Sequence, residues 1–347
     1  MVNSSISAIV KLGNIFEEAC STSENLSAEA TLLAEAAQNC HIHNPWFTQV
    51  NILESYKAWG KALSQEKVER FISNYDQQNS HTPKVVGIIS AGNIPLVGLH
   101  DILSVLLCGH KPLIKLSGRD GGLTKLVTDT LIGLEPSLQE SIVYADDRLK
   151  GYDAIIATGS NNSARYFEYY FAKYPHIIRK NRNGVALLSG NETSEQLALL
   201  GNDIFTYFGL GCRSVSKLYV PKGYNFNAFF KAIEPWSHVA MHHKYANNHA
   251  YNRAIWLIDQ VPHLDNDFLL VKQSSAIASP IATLFFEEYE DQSAIIEHLN
   301  QNLNQLQCVV SKVAEAPFRV DFGQTQQPEL WDFADGVDTM KFLKTLR

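Results

Sequence analysis

Apolar positions recur at helical spacing through the first 80 residues. Ile6, Ile9, Val10 and Ile15 mark one face of a first helix, and Ser27 stands where it caps an Ala/Leu/Glu-rich second. Asn44-Pro45 breaks the run. Trp46, Phe47, Ile52, Leu53, Tyr56 and Trp59 then form a third stripe, and Ser64 is placed to cap a fourth helix reaching Tyr75. These aromatics read as packing. The polar stretch 76–84 reads as a connector.

From Val85 the period changes. Apolar strands at 85–90, 112–116, 142–145 and 154–158 alternate with helices at 95–108, 123–132 and 162–171. Such β-α-β order predicts a parallel sheet covered by helices on both faces, with ligands at the carboxyl ends of its strands. A strand at 185–188 and a helix from Thr193 follow. A smaller α/β unit then carries strands at 217–220, 254–258 and 281–286 and helices near 225–233 and 292–306. No internal repeat and no low-complexity segment interrupts the chain.

Composition narrows the class. A chain of 347 residues has room for two cores, and 45% hydrophobic with 19% charged residues is ordinary for a folded globular protein. The net charge of −7, without a basic tract, argues against nucleic acid as a partner. The five cysteines are scattered and odd in number, with no C-x-x-C pair, which points to free thiols in a reducing compartment. No basic-then-apolar leader opens the sequence. The greasiest stretch, 94–108, is interrupted by His100 and Asp101, so no membrane span is expected and the cytoplasm is the expected location.

The candidate chemistry lies in four loops. Phe208-Gly209-Leu210-Gly211-Cys212-Arg213-Ser214 is a glycine-hinged turn between a helix and a strand, and it can present one thiol to substrate beside backbone N–H donors. Ser90-Ala91-Gly92-Asn93-Ile94-Pro95-Leu96 passes from strand to helix through a Gly-Asn turn. Leu113-Ile114-Lys115-Leu116-Ser117-Gly118 sets a lysine at a strand end. Ala157-Thr158-Gly159-Ser160 opens a helix in a geometry suited to an anionic group. None of these is G-x-G-x-x-G.

Taken in order, Asn-x-Pro-Leu, strand-Lys-x-Ser, Thr-Gly-Ser and Gly-x-x-Cys resemble the aldehyde dehydrogenase superfamily, and more closely the acyl-CoA reductases of the LuxC family. The similarity spans residues 80 to 290. The segments Gln326-Gln327-Pro328-Glu329-Leu330 and Asp335-Gly336-Val337-Asp338 also look like short members of that family.

The resemblance implies an aldehyde dehydrogenase-like α/β fold in four parts. These are a helical segment over 1–80 packing on the cofactor domain, a Rossmann-like NADP-binding domain over 81–205, a smaller catalytic domain over 206–325, and a tail over 326–347 docking back on the core. It implies Cys212 as nucleophile, with the Asn93 side-chain amide and the Cys212 N–H as oxyanion donors. Lys115 resembles the lysine that holds the adenosine ribose or its 2′-phosphate. Ser90, Ser117, Gly159 and Ser160 complete the cofactor-binding set.

The reaction implied is reduction of an acyl-CoA, of long chain by the resemblance, to its aldehyde with NADPH or NADH through an acyl-cysteine, with coenzyme A arriving as part of the substrate. A homodimer is compatible with it. Two departures matter. Where hydrolytic aldehyde dehydrogenases place a glutamate base, this chain has Ile178-Arg179-Lys180-Asn181-Arg182-Asn183-Gly184, which favours a reductase over an aldehyde oxidiser. The ribose-holding Glu-x-Phe-Gly-Pro is replaced by Ala276-Ile277-Ala278-Ser279-Pro280, without a carboxylate.

Quieter explanations stand beside each residue. Asn93 can serve a left-handed turn, Lys115 a solvated strand end, Gly159-Ser160 a helix cap, and Cys212 a buried structural position. His242, His243 and His249 lack metal-ligand spacing and read as a surface loop, while Glu287-Glu288 reads as a solvated strand edge. Two other functions stay open: a cysteine acyltransferase or thioesterase without a redox step, and a catalytically silent scaffold of the same fold.

Overall fold

The computed structural model describes residues 2–23, 25–75, 82–145 and 148–346; the connector expected at 76–84 lies outside the described residues over 76–81. The chain divides into two compact units, one of Met1–Asn181 with Pro328–Arg347 and one of Arg182–Gln327. The division therefore falls at 181/182 rather than at the expected 205/206. The reason is pairing: the strand Asn183–Leu187 joins Leu306–Val310 and Val215–Pro221 and has no partner in the first sheet.

The first unit opens with helices α1 (Val2–Ala19), α2 (Ala28–Asn39), α3 (Gln49–Ala62) and α4 (Gln65–Ser73). Ser27 caps α2 by accepting the Ala30 N–H at 3.2 Å, and Thr48 caps α3 through the Asn51 N–H at 3.3 Å. Ser64 holds the cap position of α4 but makes no capping bond with its side chain. Then come β1 (Val85–Ile89), α5 (Leu99–Leu107), β2 (Lys111–Lys115), α6 (Leu123–Leu134), β3 (Val143–Tyr144), β4 (Ala154–Thr158), α7 (Asn161–Phe171) and β5 (His176–Arg179).

The five strands are all parallel, in the order β3-β2-β1-β4-β5. Strand order reverses between β1 and β4, the place where open α/β sheets bind ligands. One apolar core joins Ile9, Leu12, Phe16 and Tyr56 from the helices to Val86 and Ile88 of β1 and to Ile102 and Val105 of α5. The helix expected from Pro95 begins only at Leu99, because residues 95–98 form a turn in which Leu96 takes a φ of 55°.

The second unit contains β6 (Asn183–Leu187), α8 (Ser194–Phe205), β7 (Val215–Pro221), α9 (Asn227–Ile233), α10 (His243–Ile258), β8 (Leu264–Asp265), β9 (Leu270–Gln273), β10 (Thr283–Tyr289), α11 (Gln292–Gln301), β11 (Leu306–Val310) and β12 (Arg319–Val320). Its sheet runs β12-β11-β6-β7-β10-β9-β8, parallel except for the antiparallel β8–β9 pair. Helix α12 (Thr339–Lys344) closes the chain within the first unit.

Two expectations fail here and a third holds in part. Residues 254–258, expected as a strand, end α10; a short apolar run does not distinguish the two, and here Leu257 and Ile258 stay exposed on the helix. The helix expected through 306 stops at Gln301, and Leu306 opens β11, whose five residues are all buried. Glu288 is exposed as expected, at a part of β10 that extends beyond its pairing with β9, although the strand as a whole lies between β7 and β9. Glu287 accepts an ion pair from the fully buried Lys217 at 2.5 Å.

Candidate active site

In the first unit the predicted residues gather at one end of the sheet. Register pairs Ile89 of β1 with Lys115 of β2 on one side and with Ala157 of β4 on the other. Ser90, Lys115 with Ser117, and Gly159 with Ser160 therefore leave neighbouring strands at their carboxyl ends. Two of these loops interlock. A Cβ on Gly92 would lie 2.5 Å from Ser117 Oγ, so only glycine lets the backbone after β1 approach the loop after β2.

Buried Asn44, from the turn between α2 and α3, fastens the same pair by donating to the Gly92 carbonyl at 3.4 Å and the Arg119 carbonyl at 3.1 Å. In the sequence Asn44 reads only as part of a break, because nothing local links it to residues 48 and 75 positions away. Asn93 and Lys115 are half-buried. The left-handed residue of the Asn93 loop is Leu96, which removes turn geometry as the reason for the asparagine.

Ser160 is the N-cap of α7 and accepts the Ser163 N–H at 3.2 Å. The cap is thus real. The first turn of α7 carries no acidic side chain, which leaves its positive end to an anion.

Cys212 belongs to the second unit and is exposed there, whereas Cys40, Cys108 and Cys308 are buried. It sits between α8 and β7, as its flanking periodicities predict. Thr193 and Gln196 form a capping box that starts α8. The helix exits through Tyr207, Phe208 and Gly209, at φ of 56°, 56° and 74°. Two aromatic residues in a left-handed conformation cost about 1–2 kcal/mol each, a price that the surrounding packing must offset.

The floor of the turn is built from distant segments. Gly184 donates its N–H to the Ser214 carbonyl at 3.2 Å, and a Cβ there would lie 2.5 Å from the Arg213 carbonyl oxygen. The Cys308 thiol donates to that Arg213 carbonyl at 3.6 Å, and Gln326 Nε2 donates to Ser214 Oγ at 3.2 Å. Asp203 of α8 is fully buried and accepts the Gly323 and Thr325 N–H groups at 2.7 and 3.0 Å. Burial pushes its carboxyl up to about 6, against the lowering effect of those two bonds.

Strand β7 also fixes a second loop. Ser216 Oγ donates to the Ile277 carbonyl at 2.9 Å and Lys217 Nζ to the Ser275 carbonyl at 3.1 Å. The segment that lacks the expected carboxylate is thereby anchored to the strand that follows Cys212. Neither residue was singled out from sequence, since a lysine in an apolar strand gives no sign of burial.

The histidines are not a surface loop. His242 caps α10 through the Tyr245 N–H and its ring lies 4.4 Å from that of Phe208, while buried His249 meets Asp265 at 3.1 Å. Among the described residues, no group of three or more His, Cys, Asp or Glu is placed to hold a metal ion. Among the same residues, no helix is long and apolar enough to cross a membrane.

No protein-family model matches the chain, and no curated protein matches its sequence. Solved structures do resemble it. An oxidoreductase from Marinobacter aquaeolei is 12% identical with a TM-score of 0.62, over 93% of this chain and 79% of that one. Aldehyde dehydrogenase 21 from Physcomitrella patens, in complex with succinate, is 10% identical with a TM-score of 0.60, over 99% and 87%. An indole-3-acetaldehyde dehydrogenase complexed with NAD+ is 12% identical with a TM-score of 0.56, over 91% and 77%. The chain has the α/β fold of the aldehyde dehydrogenases.

Proposed function

We propose that the protein is a nicotinamide-dependent acyl-CoA reductase of the LuxC type, which converts a long-chain acyl thioester to its aldehyde through an acyl group on Cys212. The observation that carries this reading is the exposed thiol of Cys212, in the turn 211–214 that follows a backbone left-handed at Tyr207, Phe208 and Gly209. Strain of this kind persists where a site needs it.

The first unit fits a dinucleotide. Its sheet reverses order between β1 and β4, the loops after β1 and β2 close on each other over Gly92, and α7 opens behind Gly159. Lys115 and Ser117 would hold the adenosine end, and Ser90, Gly159 and Ser160 the phosphates. A bound reduced nicotinamide supplies the hydride for the acyl group.

The chain's own residues do the rest. The Cys212 thiolate attacks the thioester carbonyl, and the bond to sulfur of coenzyme A breaks as that thiolate leaves. The Cys212 N–H receives the oxyanion, a role worth about 3–4 kcal/mol per donor, and the family resemblance adds the Asn93 amide as a second donor. With no carboxylate in residues 178–184, water is not activated and the acyl group waits for reduction. Hydride addition to the acyl carbon then releases aldehyde and returns the thiolate, so charge and atoms balance without a general acid.

A redox-free acyltransferase has one observation in its favour, the His242 ring against Phe208, four residues before Cys212. One experiment separates the readings. Purified protein is mixed with a fatty acyl-CoA, its intact mass is read, and NADPH or NADH is added. The reductase gives an adduct that only reduced cofactor discharges as aldehyde, and Cys212→Ala gives none. Asn93→Ala acylates about 10²–10³-fold more slowly. Discharge indifferent to cofactor supports the transferase, and a wild type that never acylates supports the scaffold.

A further inference from the structure

We propose that the buried Asp101–Arg179 pair, closed by Thr339 of the C-terminal segment, is a positioning device that sets the cofactor-facing loops of the first unit. The proposal rests on the dinucleotide reading above and adds three residues to it, none of which touches the ligand.

Arg179 is the last residue of β5. Its Nη1 donates to Asp101 Oδ2 at 2.5 Å and its Nη2 to Asp101 Oδ1 at 2.8 Å, a two-pronged pair. Its Nη2 also donates to Thr339 Oγ1 at 2.9 Å. The two charged side chains are only 7% and 5% exposed. Asp101 lies in the first turn of α5, the helix into which the Asn93 loop runs. The Arg179 carbonyl, in turn, accepts the Gly159 N–H at 3.3 Å. Arg179 therefore ties the first turn of α5, the loop after β4 and the start of α12.

The C-terminal segment holds α5 at both ends. His100 Nε2 meets the Leu330 carbonyl at 2.8 Å beside Asp101, and His110, just past α5, meets the Leu343 carbonyl at 3.0 Å. Asp338 caps α12 through the Lys341 N–H at 2.8 Å and accepts the Tyr75 hydroxyl at 3.0 Å, which places Thr339 at the start of that helix. Asp338, the last residue of the motif 326–338, thus starts the helix that carries the hydroxyl completing the pair.

Desolvation makes a buried ion pair a poor source of stability, and an apolar replacement of equal volume would hold the unit as well. What an apolar cluster cannot do is fix direction. A forked guanidinium on a carboxylate defines the distance and angle between β5 and α5.

The test uses the full-length protein with Thr339→Val, Thr339→Ser and Arg179→Lys. NADPH and NADH affinity are read by fluorescence titration and folding by thermal melting. Thr339→Val, which removes one bond to a charged group, is expected to weaken cofactor binding about tenfold. Thr339→Ser restores it. Arg179→Lys keeps the charge, loses the fork and weakens binding further. Cofactor affinity unmoved in folded Thr339→Val overturns the proposal alone. A wild type that binds neither cofactor overturns the dinucleotide reading, and this proposal with it.

Discussion

In the first unit, Ser90, Lys115 and Gly159 leave strands that lie side by side, and each strand is followed by its own helix in chain order. In the second, Cys212 stands on a turn whose floor comes from Gly184, Cys308 and Gln326, which are spread over more than a hundred residues. The first arrangement is assembled from local β-α steps and fastened from afar only by Asn44 and by the cluster of Asp101, Arg179 and Thr339 among the contacts described above, so a change in a loop such as that of Ser160 stays near that loop. The second is assembled from strands remote in sequence, so a change in a neighbouring strand reaches the nucleophile. A locally built loop tolerates substitution, and a remotely held one transmits it.

The sharpest way to break this contrast is Gly184→Ala. Its methyl would lie 2.5 Å from the Arg213 carbonyl, so the Cys212 turn must shift. Acylation by acyl-CoA is expected to fall at least about tenfold, since displacements of an ångström carry costs of that order or larger. Cofactor titration, which reads the first unit, stays at the wild-type value. Wild-type acylation in this variant would show that the turn is not held by β6.

Asp203→Asn tests the remote assembly of the second unit through stability. Asparagine offers one acceptor oxygen where two N–H groups bind, so one of Gly323 and Thr325 loses its partner, at about 1–3 kcal/mol. The variant also reports on pH. The folded-state carboxyl, at about 6, lies above the unfolded value of about 3.9. The folded chain therefore holds this proton more tightly, and the contribution is fully present below about 4 and is lost as pH rises to about 6. Urea melts across that interval should show the slope in the wild type and lose it in Asp203→Asn.

Ser160→Ala is the smallest effect and the counterpart in the first unit. Loss of the α7 cap should cost about 1 kcal/mol, read as faster hydrogen exchange at the Ser163 amide. Acylation of Cys212 should be untouched. A fall in acylation would mean that local assembly of the first unit does not confine the damage.

Much of the first unit was legible because its signals are short-range. Apolar runs of five residues, glycine closing α5, and helices capped by Ser27 and Ser160 are all read within a few positions. The second unit was less legible. The strand expected at 254–258 belongs to α10, and Leu306 opens a fully buried strand instead of ending a helix. Lys217 carries no mark in sequence of its burial against Glu287 and the Tyr219 ring, which its Nζ faces at 4.7 Å.

Sequence by itself determined the alternation of strand and helix, the helix-turn-strand frame around Cys212, and the strand-end positions of Lys115, Ser117, Gly159 and Ser160. These follow from side-chain period and from the backbone preferences of glycine, proline and capping residues, which act over a few ångströms. Tertiary structure alone decided that β6 belongs to the second sheet, that Asn44 joins two loops of the first, and that Thr339 completes the Asp101–Arg179 pair. Those pairings are chosen by what must be hydrogen-bonded once water is gone, and that demand is met by whichever distant group the fold brings within 3 Å.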